Sequence, residues 1–176
     1  MTIKDGLRQV VRATREKEAT ELLPRCDDAP PPARQWSAKD NLAHMAVWRE
    51  HAAAILEGSR TGSEVRSWSG DIDAENERIL EETRALSAAQ VRERVRTSWE
   101  ALSDAVEACS EEVLLSPRRA YPDRKTWQVV PGNTHLHLAE HLGYWHREHG
   151  DEAAAEAAAK WADELHRAAF PDSHLY

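Results

Sequence analysis

Apolar positions recur along most of this chain at the three-to-four-residue interval of a helix face, with no convincing strand pattern anywhere. Ile3, Leu7, Val10, Val11 and Leu22 form a loose stripe over about residues 2–23, which Pro24 ends. Residues 24–36 hold Pro30-Pro31-Pro32, a stiff extended connector. Ser37 with Asp40 three residues on reads as a capping box. It opens a helix expected to reach about Glu57, with Gly58 at the C-cap position. A Gly/Ser-rich loop over residues 58–70 carries Trp68, and Asp71 opens a short helix through Ala85.

Ser87 with Gln90 is a second capping box, and Val91, Val95, Leu102, Val106 and Cys109 form a clear amphipathic stripe after it. Residues 111–132 make a long connection with three prolines, Tyr121 and Trp127. Structureless loops longer than about 12–15 residues are uncommon unless functional, so this one is a candidate active-site wall. Asn133 starts a helix to about His149, Gly150-Asp151 breaks it, and an Ala/Glu-rich helix covers residues 151–169. The pattern predicts an all-α protein.

Composition narrows the picture. The 176 residues, 41% of them hydrophobic, suffice for one folded domain over 1–176 with a sizeable core. A formal net charge of −8 lacks the electrostatic footprint of a nucleic-acid binder. No apolar run approaches the roughly 20 residues needed to span a bilayer. The N-terminal Met1-Thr2-Ile3-Lys4-Asp5-Gly6 holds no apolar signal core, so a cytoplasmic location away from membranes is expected. The two cysteines stand far apart; Cys109 belongs to a core stripe, and Cys26 lies beside the proline-rich loop, a position open to exposure.

Candidate chemistry rests on the nine histidines. His137 and His141 in Asn133-Thr-His-Leu-His-Leu-Ala-Glu-His141 have i,i+4 spacing, which on a helix projects both rings from one face. Two imidazoles so placed can converge on a metal, although the same spacing arises by chance in His-rich surface helices. His44 borders an apolar face formed by Leu42, Met45, Trp48, Ala52 and Ile55, where it must be coordinated, hydrogen-bonded or desolvated. His51, seven residues on, and Tyr144, seven residues after His137, are candidate proton donors. His135 and His146 point away from the pair, and His149, His166 and His174 have no geometric claim. Of seven tryptophans, Trp36, Trp48, Trp127 and Trp145 lie close in sequence to the histidines. Trp48 and Trp127 are the candidate pocket walls, with core packing as the alternative.

Trp36-Ser37-Ala-Lys-Asp40-Asn-Leu-Ala-His44-Met-Ala-Val-Trp48 resembles the segment opening the second helix of DinB/YfiT-like proteins. Ile72-Asp73-Ala-Glu-Asn76, Thr126-Trp127 and the His137/His141 segment resemble signatures of the DfsB/ClbS-like branch. That resemblance, over roughly residues 3–149, implies a four-helix bundle with a long crossover, often dimeric, to which the C-terminal helix is an addition. It also implies that His44, His137 and His141 form a three-histidine site for one divalent metal ion such as Zn, Ni or Fe. The superfamily includes thiol S-transferases, so a low-molecular-weight thiol is a further expected partner. The resulting expectation is a metal-dependent hydrolase or S-transferase acting on a small electrophilic or toxic compound. A non-catalytic toxin-sequestering protein and a metal-free helical scaffold stay open beside it.

Overall fold

Helices begin where a side-chain oxygen can satisfy the backbone N–H groups that a first turn leaves unpaired. In the computed structural model, which describes residues 1–31, 35–63, 65 and 70–171, both expected capping boxes are present. Ser37 Oγ accepts from the Asp40 amide at 3.0 Å while Asp40 Oδ2 accepts from the Ser37 amide at 2.9 Å. Ser87 and Gln90 make the same exchange. Thr2 and Asp5 form a third box at the start of the chain.

The helices are α1 (Ile3–Glu21), α2 (Ala38–Thr61), α3 (Ile72–Thr83), α4 (Ala88–Ala108), α5 (Glu111–Leu115), α6 (Val129–Gly132), α7 (His135–Glu148) and α8 (Glu152–Ala169). No strand occurs among the described residues, and an isolated antiparallel bridge joins Pro117 to Lys125. No helix of the described residues is long and apolar enough to cross a membrane. Pro32, Trp68 and His174 lie outside the described residues, as does part of the expected loop over 58–70.

α2 runs one turn past its expected end. Gly58 is not the cap: a Cβ there would stand 2.3 Å from Val65 Cγ2, so this glycine permits a close approach inside the helix. The left-handed residue that ends α2 is Gly62, with φ of 77°. The connection over 111–132 is likewise less open than its proline content suggests. It contains α5, α6 and a 3-10 turn over Thr126–Gln128, and the Thr126 amide donates to the Ser116 carbonyl at 2.9 Å.

α1 packs on α4 and α7, and α2 packs on α4 and α7, so these four helices enclose the core, with α3 on the crossover between α2 and α4. α8 lies along α7 and touches α1. Its inner face is built from small residues, Ala155, Ala158, Ala162 and Ala169, which lets the backbones approach closely. Leu7, Val10, Leu42, Leu56, Val91, Leu102, Leu138 and Leu142 are fully enclosed. Both cysteines are buried; Cys26, although beside the proline-rich loop in sequence, is only 2% exposed and sits with Ala88 of the α4 N-terminus.

One ionic network crosses this core. Arg49 of α2 donates to Glu18 of α1 at 2.6 Å and to Ser98 Oγ of α4 at 3.1 Å. The Trp99 indole N–H donates to the other Glu18 oxygen at 2.8 Å, and the guanidinium lies over the Trp99 ring at 4.2 Å. A charge this deep is tolerable only when paired, so the network fixes three helices in register beneath the histidines.

Candidate metal centre

α2 and α7 carry the three histidines to one point. His44 occupies the second turn of α2, and His137 and His141 occupy successive turns of α7. His44 Nε2 lies 3.2 Å from His137 Nε2, and His137 Nε2 lies 3.0 Å from His141 Nε2. One ligand atom from each ring falls within 4.8 Å of those of the other two. Nitrogens bound at about 2.0–2.1 Å to a shared ion stand about 2.9–3.4 Å apart for bond angles between about 90° and 109°. Both short contacts fall in that range.

Proton accounting points the same way. Asn41, one turn before His44, donates its amide N–H to the Ser37 carbonyl at 2.9 Å, which aims its amide oxygen at His141 Nδ1, 2.6 Å away. His141 therefore carries its proton on Nδ1 and presents a bare Nε2 to the cluster. A proton on the central His137 Nε2 would have to be shared between two contacts and would leave Nδ1 a bare acceptor, buried and without a partner. A cation among the three nitrogens satisfies all three lone pairs at once. His44 Nδ1 is likewise buried without a partner among the described residues, so only His141 has its outer nitrogen held.

Burial keeps these rings neutral. The pKa of His44 is pushed down to about 3 by desolvation and by the neighbouring His141, and that of His141 to about 4 by desolvation. That of His137 falls well below the usual imidazole range through burial, its two histidine neighbours and the charge of Arg49. Neutral imidazole is the form that ligates.

Two indoles flank the cluster. Trp36 lies 5.0 Å from the His44 ring and 5.8 Å from that of His141. Trp48 lies 6.3 Å from His44 and 6.2 Å from His137, and its indole N–H donates to Asn76 Oδ1 on α3 at 3.2 Å. Trp36 also lines a cavity of about 630 Å³ together with Asp28, Pro30, Lys39, Leu80 and Arg84. His51 sits one ring beyond, 6.0 Å from Trp48, its pKa lowered to about 4 by burial and by the charge of Arg118.

Two expected site residues are placed elsewhere. Tyr144 is 57% exposed on the outer surface of α7. Trp127 is buried against Phe170 at 4.7 Å and makes no ring contact with the three histidines among the described residues. Asn41 had no role assigned from sequence, although its position three residues before His44 placed it on the same side of α2. A second histidine pair, which no sequence spacing signals, joins α7 to α8: His135 Nε2 lies 3.2 Å from His166 Nδ1, both rings buried.

Comparison with known proteins gives one family. A family model of the DinB superfamily matches residues 14–149. No curated protein and no solved structure gives a significant match.

Proposed function

The chain belongs to the DinB superfamily, and from that premise we propose that it is a metal-dependent hydrolase or thiol S-transferase acting on a small electrophilic compound. One observation carries the reading: ligand nitrogens of His44, His137 and His141 converge from two helices within 4.8 Å of one another, and the 3.2 Å and 3.0 Å contacts at His137 Nε2 match the spacing around a single divalent ion. Such an ion, when bound, supplies Lewis acidity toward a water, a thiolate or a polarisable electrophile.

The chain's own side chains divide the remaining work. Asn41 orients His141 with Nε2 inward. Burial withholds protons from the three rings, so their lone pairs are available at neutral pH. Trp36 and Trp48 wall the cluster with apolar surface and restrict water around it. His51, beside Trp48 and held neutral, offers a proton acceptor for an incoming nucleophile.

A non-catalytic reading draws on the cavity that shares Trp36, which is large enough to sequester a small molecule without transforming it. Metal content and ligand-induced stabilisation separate the two. Wild-type protein purified with metal supplementation should hold about one divalent ion per chain, as a three-imidazole site would. His137→Ala should hold none while its helical circular dichroism is preserved. A folded wild type that takes up no metal overturns the enzyme reading. Stabilisation by electrophile-like compounds in that metal-free chain would instead support sequestration.

A further inference from the structure

Four arginines of the described chain are withdrawn from solvent: Arg49, Arg78, Arg94 and Arg118. Three have a carboxylate partner. Arg49 pairs with Glu18, Arg78 with Glu75 and Glu82, and Arg94 with Glu50. Arg118 is half-buried, yet its guanidinium makes no ion pair and no hydrogen bond among the described residues; it lies over the Tyr121 ring, 4.9 Å from the centroid. Desolvation, together with the nearby Arg124, pushes its pKa down. A guanidinium that gives up water without gaining an acceptor carries an unmet demand for an anion.

The loop around it strengthens that demand. Residues 117–125 hold Arg118, Arg119, Arg124 and Lys125 against the single acid Asp123, in a chain whose net charge is −8. None of the four cations forms a salt bridge among the described residues, and of the four only Arg118 is withdrawn from solvent. The loop is held in shape by its own backbone. The Arg118 amide donates to the Arg124 carbonyl at 2.7 Å, the Arg124 amide to the Tyr121 carbonyl at 2.9 Å, and Pro117 bridges Lys125.

Its position links it to the histidines. α5 and the 3-10 turn, which flank this loop, pack on α2, the helix that carries His44, Trp48 and His51; the charge of Arg118 helps to lower the pKa of His51, His51 lies 6.0 Å from Trp48, and Trp48 lies against His44 and His137. We propose that Arg118 docks a carboxylate, or an equally compact anion, carried by the small molecule that the three-histidine site acts on. The planar fork of an arginine grips such groups with two parallel N–H donors. This deepens the reading given above by naming an acidic substrate or thiol co-substrate, and it rests on that reading.

The test uses Co(II)-loaded full-length protein, in which thiolate binding to the metal gives an absorption band. Wild type should bind 3-mercaptopropionate at least about tenfold more tightly than its methyl ester, as one charge-assisted contact supports. Arg118→Gln should erase that preference while leaving ester binding within about twofold, and the exposed neighbour variant Arg119→Gln should keep it. Competition by propionate, which has no thiol, assigns recognition to the carboxylate itself. Equal binding of acid and ester by wild type, or an undiminished preference in Arg118→Gln, overturns the proposal. If wild type takes up no cobalt, the metal reading fails separately. Propionate titration of the metal-free chain then decides this one: a saturable shift of the Arg118 guanidinium NMR signal, lost in Arg118→Gln, supports it, and none overturns it.

Discussion

An imidazole offers a metal only one nitrogen, and what happens at the other decides whether the ring is ready. At His141 the second nitrogen is fixed by Asn41, whose own amide is fixed by the Ser37 carbonyl at the start of α2. The same serine that caps the helix thus sets the tautomer of a ring 104 residues away, a chain of hydrogen bonds that no spacing rule contains. Asn41→Leu should weaken metal binding by about 10–100-fold, the usual cost of losing such an outer partner, with helix content unchanged. Chelator competition measures it, and an unaltered affinity would remove Asn41 from the site. At this scale the histidines themselves were legible, since HxxxH spacing and an imidazole beside an apolar face both carry physical meaning. Tyr144 misled for a geometric reason. At about 100° per residue, His141 stands about 40° to one side of His137 and Tyr144 about 20° to the other. The cluster lies between the first two rings, leaving the tyrosine to solvent at 57% exposure.

Helices and their ends were mostly written locally, and their long-range partners were not. Ser37–Asp40 and Ser87–Gln90 announce two helix starts because both members of each box lie within four residues. Gly58 could be taken for a cap because the residue that needs its missing side chain, Val65, lies beyond the helix. α8 shows the limit most fully. Thr134 Oγ1 donates to the Val130 carbonyl, so the lone pair left facing His135 Nδ1 at 3.4 Å favours a proton on that nitrogen. His135 Nε2 is then an acceptor for the Nδ1–H of His166, and this bond ties α8 to the helix bearing two candidate ligands. Nothing in a 31-residue separation announces such a pair. His166→Ala should lower stability by about 1–3 kcal/mol, because it strands the buried His135 Nε2 without its donor. Urea denaturation reads the change, and an unmoved midpoint would mean that the alanine face of α8 holds the helix by itself.

Acid stability brings these residues together in a single property of the molecule. His44, His51, His135 and His141 have pKa values lowered to between about 3 and about 4, His137 lies well below normal and His166 is also lowered, desolvation being the main cause in each case. In the unfolded chain these groups return to about 6.5. The sign follows from proton counting: between those limits the unfolded state binds protons that the folded state refuses, so stability falls as pH falls. Their contribution is complete above about pH 6.5 and erodes toward pH 3–4, at up to about 1.4 kcal/mol per pH unit for each independent group, less where neighbouring rings are coupled. The opposing influence is overall charge, since the pI near 5.6 means that self-repulsion relaxes over part of the same range. That relaxation is spread over a solvated surface and screened by salt, whereas the histidine cost acts at buried atoms, so the histidines should win. The metal-free chain should therefore be most stable above pH 7, with its melting temperature dropping steadily from pH 6.5 to pH 4.5. Thermal denaturation across that range at constant ionic strength decides the matter: a maximum near the pI would show that surface charge governs, and that the rings are not buried as neutral groups.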